Sequence, residues 1–368
     1  MIIGQSDASW AADEFIEYFS HMSSIEDYLR YVKKEVLGAK SILDPLHNEF
    51  LNEDIHPQDM DFKIVRVGKG GLDQKVYDRL LSVVSSHNNE KNIPGRELKW
   101  MVYEKNTNKV IGFIRFGSPT INSRPRNVWL GKQPNLSIFN RHACMGFAIV
   151  PSQPFGFNYL GGKLLALLCV SHFAREAVSD AFEKDIALFE TTSLYGSTTS
   201  ASQYDGLKPF IRYKGLTDSK FLPLLHDEAF HRLHDRFTLL NNNTPLTDNK
   251  ASSKKMKRQT KMISIIRKNL EDQEKLETFN KVIKMANNLT QQKRFYISDY
   301  GYENVREVIL GEEETLRRGQ NWDKFYLENI ISWWKKKATK RYEKLKEEGR
   351  FRDRVELWTD EEEIQIIR

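Results

Sequence analysis

Cysteine is scarce: Cys144 and Cys169 are the only two in 368 residues, and 25 positions separate them. That spacing matches neither a redox CxxC motif nor a zinc ligand set. So low a count suits a reducing compartment, with both thiols acting as small buried hydrophobes. Long apolar runs are also missing. No window reaches the roughly 18 uninterrupted apolar residues that a spanning helix needs. The most apolar stretch, residues 144–174, is broken by Gln153, Asn158, Lys163, Ser171 and His172. A membrane span is therefore not expected. The start, MIIGQSDASWAADEF, lacks the basic end, apolar core and cleavage site of a secretory signal, so export is not expected and a cytoplasmic location is. Gly68, Gly70 and Gly71 are not followed by the Lys-Ser/Thr that ends a phosphate loop, and they read as a turn.

What is present is enough to fold. About 40% apolar and 29% charged residues over this length support a substantial core and two or three structural units. The net charge of +6 is unevenly spread: from residue 250 onward, 28 Lys and Arg stand against 21 Asp and Glu. The basic character is thus a property of the C-terminal third.

Periodicity sketches the organisation. DEFIEYFSHMSSIEDYLRYVKKEVL has apolar residues three and four apart, with Ser24 as a cap and Asp27 three residues later, so two helices are expected before residue 40. DFKIVRV reads as a strand. ELKWMVYEKNTNKVIGFIRFGSP holds two β-rich runs around Asn-Thr-Asn and reads as an antiparallel hairpin. RHACMGFAIVP then gives a strand, GGKLLALLCVSHFAREAV a buried helix, and DIALFETTSLYG another strand, an order that calls for a crossover connection. The polar, basic stretch NNNTPLTDNKASSKKMKRQTK reads as a linker, with helices beyond it. The expected division is a helical segment 1–60, an α/β core 61–240, a linker 241–258 and a basic helical region 259–368. The fold class is α/β, a mixed and mostly antiparallel sheet flanked by terminal helices.

SQPFGFNYLGG, residues 152–162, joins a strand to a helix. Such a turn aims several backbone N–H groups at one point, and the helix start favours an anion, which makes it a candidate pyrophosphate cradle. A tight turn holding no ligand is the competing reading. Gln153-x-x-Gly156-x-Asn158 resembles the Gln/Arg-x-x-Gly-x-Gly/Ala loop of acetyltransferases related to Gcn5. That resemblance implies an acetyltransferase-like strand–loop–helix core with acyl-coenzyme A held by Val150, Gln153, Gly156, Phe157, Asn158, Gly161 and Gly162. Asn158 replaces the last small residue, and Pro154 removes one N–H donor.

A longer resemblance covers roughly residues 97–220. GFIRFGSPTINSRPRNVWLG, NLSIFNRHACMGFAIVP, FNYLGGKLLALL, FETTSLYGSTTSASQYDGLKPF and KGLTD occur in an order similar to the core domain of the Druantia anti-phage family. The features that match are the FGSP turn, Arg124 and Arg126, Asn140-Arg141, the Leu-Gly-Gly helix entry, Glu190-Thr191 and Gly196. The resemblance implies a nucleic-acid-associated protein with a core similar to phage Mom-type modifiers of DNA bases. STTSASQYDG departs from the family pattern after the Glu-Thr pair.

Acyl transfer to an amine needs a base for the nucleophile and an acid for the leaving thiolate. Glu190 alternates with Ile186 and Leu188, which aims its carboxylate inward with a raised pKa and makes it the candidate base. Tyr204 is the candidate acid, with a packed tyrosine as the plainer alternative. HDEAFHRLHDR offers His226, His231 and His234, but it lacks HExxH spacing, and no metal ligand is assigned. Lys254, Lys255, Lys257 and Arg258, and Lys335, Lys336 and Lys337 beside Trp333 and Trp334, combine charge with aromatic surface suited to nucleic acid, as do Arg124 and Arg126. A solvated lysine-rich helix with core tryptophans is the alternative.

Three functional readings remain from sequence. The first is an acyl-coenzyme A-dependent, acyltransferase-like protein acting on or at nucleic acid. The second is a non-catalytic DNA-binding or interaction protein reusing that fold, and the third a metal-dependent nuclease. A pocket joining residues 153–162 to Glu190 would favour catalysis, and a filled cleft would favour binding.

Overall fold

A computed structural model describes the whole chain except residues 39–45, 87–94, 194–200, 221–222, 249–253, 290–291, 360–363 and 365–368. Gly196 and the first part of STTSASQYDG lie outside the described residues. The chain divides into two compact units, residues 1–41 with 220–291, and residues 42–219 with 292–368. The division expected from sequence, with boundaries at 60, 240 and 258, does not coincide with this one, because both units are assembled from distant parts of the chain.

The first unit is helical. Helices are numbered along the whole chain, and this unit holds α1 (Gln5–Phe19), α2 (Ile25–Gly38), α9 (Asp227–Leu240), α10 (Lys254–Asn269) and α11 (Gln273–Asn288). Ser24 caps α2 as expected, its Oγ accepting from the Asp27 N–H while Asp27 accepts from the Ser23 and Ser24 backbones. The apolar stripe of α1, including Ala8, Ala11, Phe15 and Phe19, is buried, with Phe15 edge-on to Phe279 of α11. Long-range polar ties close the unit: Tyr28 Oη donates to the Leu224 carbonyl, and Gln259 accepts from the Leu225 N–H and donates to the Pro223 carbonyl. The helical stretch over 262–289 is interrupted at Leu270–Asp272, and Asp272 caps α11.

The second unit is built on a seven-stranded sheet in the order β1-β2-β3-β4-β5-β7-β6. The strands are β1 (Phe62–Arg66), β2 (Glu97–Glu104), β3 (Lys109–Gly117), β4 (Ala143–Pro151), β5 (Leu188–Ser193), β6 (Arg212–Lys220) and β7 (Gln292–Ser298). The β2–β3 hairpin forms as expected. Glu104, fully buried, accepts from the Thr107 N–H and hydroxyl across its turn and from the Asp61 N–H of the neighbouring chain segment. β4 and β5 are paired in parallel, whereas β1 with β2, β2 with β3, β3 with β4, and β5 with β7 are antiparallel. The crossover from β4 to β5 runs through α6 (Phe155–Tyr159), α7 (Gly161–Cys169) and α8 (His172–Phe182). The expected single helix over 161–178 is split at Val170, where Ser171 caps α8 by accepting from the Ala174 N–H.

Each face of the sheet has its own core. On one, α7 packs with α13 (Leu327–Glu347) around Cys144, Phe189, Tyr204 and Tyr296; on the other, α4 (Arg124–Leu130), α5 (Leu136–His142) and α12 (Val305–Leu310) enclose Ala143, Leu188, Phe295 and Ile297. The remaining helix, α3 (Leu72–Val84), places Tyr77 in the interior, its Oη donating to the Ile114 carbonyl. Both cysteines are free and buried, and Cys144 Sγ meets Tyr300 Oη at 3.6 Å. β7 corrects the expectation that residues 259–368 are helical: QKRFYIS enters the sheet between β5 and β6. Among the described residues, no helix is long and apolar enough to cross a membrane.

Candidate functional site

β4 pairs with β5 from Ala143 to Gly146, opposite Leu188 to Thr191, and then runs on to Pro151 paired with β3. Just there, the β3–β4 register skips one residue: Arg115 faces Ala148 and Phe116 faces Gly146, leaving Phe147 as a bulge. Bulges re-aim side chains and end strand pairing, and crevices at the carboxyl ends of parallel strands are favoured ligand sites. The point where β4 leaves β5 is therefore the place to look on both faces of the sheet.

On the α7 face the opening is filled by the chain itself. Gln203 Nε2 donates to the Ile149 carbonyl at 3.1 Å, and Thr191 Oγ1 donates to the Gly146 carbonyl at 3.0 Å, so two acceptors of the parted strand are met. Tyr204 Oη lies 3.4 Å from Thr191 Oγ1, and burial pushes its phenol up to about 12 despite hydrogen bonds from Thr191 and Gln203. Lys163 donates to the Gln203 and Asp205 carbonyls, and Tyr296 Oη and Arg294 donate to the Asp205 carboxylate. A Cβ on Gly162 would overlap Gln203 Oε1, so glycine there makes room for the plug.

The 153–162 loop spends its polar groups internally. Gln153 Oε1 accepts from the Phe157 N–H at 3.0 Å, and the Gly156 and Asn158 N–H groups donate to the Ser152 and Pro154 carbonyls. Asn158 is 1% exposed and forms a reciprocal pair with the Arg352 backbone, donating at 2.6 Å and accepting at 3.0 Å. A Cβ on Gly156 would strike Gln153, and one on Gly161 would strike Phe155, so these glycines serve packing within the loop. Val150 is half-buried opposite Phe113 of β3. The Arg352 and Arg341 guanidinium carbons lie over the Phe157 ring, at 3.8 and 4.6 Å from its centroid. Burial, with Arg350 and Arg352 nearby, holds the Arg341 pKa below its usual value.

Glu190 points the other way. Neighbours on a strand face opposite sides, so the carboxylate beside Thr191 lies on the α4 face while Tyr204 lies on the α7 face. The two candidate catalytic groups are thus separated by the sheet. As expected, Glu190 is directed inward and burial pushes its carboxyl up to about 7, with the Arg126 charge and hydrogen bonds pulling it back. Both carboxylate oxygens accept from Arg126 Nη1, at 3.0 and 3.3 Å, and both side chains are fully buried. Arg126 also donates to the Thr120 and Ile121 carbonyls and lies 4.0 Å over the Phe139 ring. This corrects the expectation that Arg126 touches nucleic acid: it has no exposed surface, and its partners are a buried carboxylate and a loop.

That loop roofs a cavity of about 280 Å³. Thr120, Asn122, Ser123 and Arg124 line it from above, Met145 and Thr192 from β4 and β5, and Thr217, Asp218, Lys293 and Phe295 from β6 and β7. Arg124 is exposed at the cavity and pairs with Asp218 at 3.1 Å. Burial holds the Lys293 pKa below its ordinary value, and Ser123 Oγ is buried without a hydrogen-bond partner among the described residues. Sequence reasoning missed most of this lining. Its only accessible sign was the Arg124-x-Arg126 spacing, which sends one arginine outward and the other inward from a short helix. A second cavity of about 380 Å³ lies beside the Arg212–Asp299 ion pair and Gly301.

The family model of the Druantia protein DruA matches residues 31–204. Over these residues the chain is similar to the Druantia DruA family. No curated protein and no solved structure matches the chain. The DruA match takes in the bulge in β4, the 153–162 loop, Arg124, Arg126, Glu190 and Tyr204, and it ends before β6 and β7 complete the cavity. This similarity points to a role in anti-phage defence.

The predicted basic residues beyond the DruA match fall on two helices. On α10, Lys254 and Lys257 are exposed, Lys255 lies 4.9 Å over the Phe230 ring, and Arg258 donates to Thr247 Oγ1. These residues begin a helix, where a linker over 241–258 was expected. On α13, Trp334 is fully buried and donates to the Tyr159 carbonyl, while Trp333 is partly buried. Lys335 donates to the Gln58 carbonyl, Lys336 is exposed, and Lys337 lies 5.6 Å over Trp333. Among the described residues, no group of three or more His, Cys, Asp or Glu is placed to hold a metal ion. His234 instead stacks on Phe230.

Proposed function

We propose that this DruA-like protein serves anti-phage defence as a nucleic-acid-binding component, using its α/β sheet as a scaffold. The observation that carries this reading is α10. Over Lys254–Asn269 the helix has seven Lys and Arg and no carboxylate, and Lys254, Lys257, Lys261, Arg267 and Lys268 are exposed. Four of the cations crowd the first turn and a half, at the positive end of the helix dipole, where each is disfavoured by about 0.3–1 kcal/mol. A phosphate backbone reverses that penalty, since every neutralised phosphate also releases counterions. The filled opening around Gln203 and Tyr204 is consistent with binding in the absence of acyl transfer. Titration with a short DNA duplex across a salt series tests this. The log–log slope should fall in magnitude by roughly 0.9 for each phosphate left unneutralised in Lys254→Gln/Lys257→Gln/Lys268→Gln. Salt-independent binding, or a variant with the parent's affinity and slope, would reject it.

A second reading, acyl transfer, is favoured by one observation: the parallel β4–β5 pair parts beside a bulge, next to a loop and helix of the expected kind. Val150, Gln153, Gly156, Phe157, Asn158, Gly161 and Gly162 would hold acyl-coenzyme A there, with Glu190 as base and Tyr204 as acid. Entry of the cofactor would require Gln203 to leave Ile149 and Asn158 to release Arg352. The two candidate catalytic groups would also have to reach one reacting centre from opposite faces. Calorimetric titration with coenzyme A decides: saturable binding would restore this reading, and no heat at millimolar coenzyme A leaves the binding role.

A further inference from the structure

The Glu190–Arg126 pair is costly to bury, and its visible effect is to fix the loop above the 280 Å³ cavity. We infer that this cavity is a binding site for the phosphate-bearing end of a nucleotide. The inference rests on the nucleic-acid reading for the choice of a nucleotide; the choice of a phosphate rests on the lining alone.

Phosphate oxygens are acceptors only, and proteins meet them with Arg, Lys, Ser, Thr and Asn donors. The cavity supplies this set from separate parts of the chain: Arg124 and Ser123 from the roof, Thr192 and Thr217 from neighbouring parts of the sheet, and Lys293 from β7. Ser123 belongs to this lining, and its Oγ is buried with no hydrogen-bond partner among the described residues, so its hydroxyl is a donor left over for a ligand oxygen. Asp218 is the one carboxylate of the lining, and its pair with Arg124 is exposed on both sides, 70% and 59%, so Arg124 exchanges it for a ligand at small cost. The negative charge beneath, on Glu190, is already matched by Arg126. Met145 and Phe295 add an apolar wall for a sugar or base edge. At about 280 Å³ the cavity falls just below the usual range for small-molecule pockets, about 300–1,000 Å³, which suits the phosphate-bearing end of a nucleotide better than a whole coenzyme A.

The ligand has two sources, a free nucleotide or the 5′-phosphate end of a strand. Full-length protein is titrated with 5′-AMP, with inorganic phosphate, and with a short single strand carrying a 5′-phosphate or a 5′-hydroxyl. Affinity for 5′-AMP is expected to fall at least about tenfold in Arg124→Ala and Lys293→Gln and about threefold in Ser123→Ala, with Lys132→Ala, an exposed cation outside the lining, unchanged. Preference for the 5′-phosphorylated strand assigns the strand end as the source. Equal affinity for the two strands with tight 5′-AMP binding assigns the free nucleotide. If Lys293→Gln fails to fold, as judged by thermal melting, Ser123→Ala and Arg124→Ala decide. The inference is overturned if no phosphorylated probe binds, or if these variants bind as tightly as the parent. Failure of the broader nucleic-acid reading is seen separately, as duplex binding that ignores removal of the α10 lysines.

Discussion

Glu190 and Thr191 are neighbours on one strand, yet the two sides of the sheet they face are finished differently. On the Thr191 side, among the described residues, Thr191, Gln203, Tyr204, Lys163 and Asp205 spend their polar groups on one another and on the parted strand. On the Glu190 side a buried ion pair ties down a loop beside a cavity lined by two cations and several hydroxyls, with the buried Ser123 Oγ lacking a hydrogen-bond partner among the described residues. The first side is built like a core and the second like a receptor. A buried ion pair is weak evidence for stability, because hydrophobic residues of equal volume often serve better. Its retention here has a geometric use, since Arg126 ties Glu190 to the Thr120 and Ile121 carbonyls.

The sharpest way to break this contrast is Glu190→Gln. It leaves Arg126 buried without its counter-charge, and urea unfolding of the second unit should show a loss of about 3–5 kcal/mol. Replacing both partners, Arg126→Met with Glu190→Leu, should return most of that stability while leaving the 118–124 loop without its tether. Ligand binding in the cavity should then stay weak although the protein is folded, and a fully competent double variant would show that the pair is structural filling. The smallest expected effect belongs to the other face. Tyr204→Phe removes one hydroxyl from the plug and should cost about 1 kcal/mol in the same unfolding experiment, with nucleic-acid affinity unchanged. A drop in affinity in Tyr204→Phe with stability intact would show that the filled side also serves the ligand.

Much of the frame was readable in advance. The β2–β3 hairpin, the strand ending at Pro151, the helix starting at Gly161 and the inward direction of Glu190 all follow from local patterns of period two and three to four. β7 was not readable as a strand, because QKRFYIS follows a helical run and carries its polar residues at one end, so alternation is weak. The loop after β4 was correctly placed between strand and helix, but nothing local announced that Gln203 and Arg352, 54 and 194 residues from their partners Ile149 and Asn158, would close over it. Arg124 and Arg126 looked alike in sequence; a short helix directs one to solvent and the other to Glu190, 64 residues away.

By itself, then, the sequence determined the class of the protein: α/β with a crossover between β4 and β5, buried thiols, a segment similar to the DruA family and a basic C-terminal third. Those features depend on residue type and short-range spacing, which the chain carries locally. Tertiary structure decided which side of the sheet holds the cavity, that Glu190 and Tyr204 stand apart, and that the 153–162 loop is closed by its own chain. Each of these depends on contacts between residues far apart in sequence, where a single step along a strand reverses the face a side chain presents.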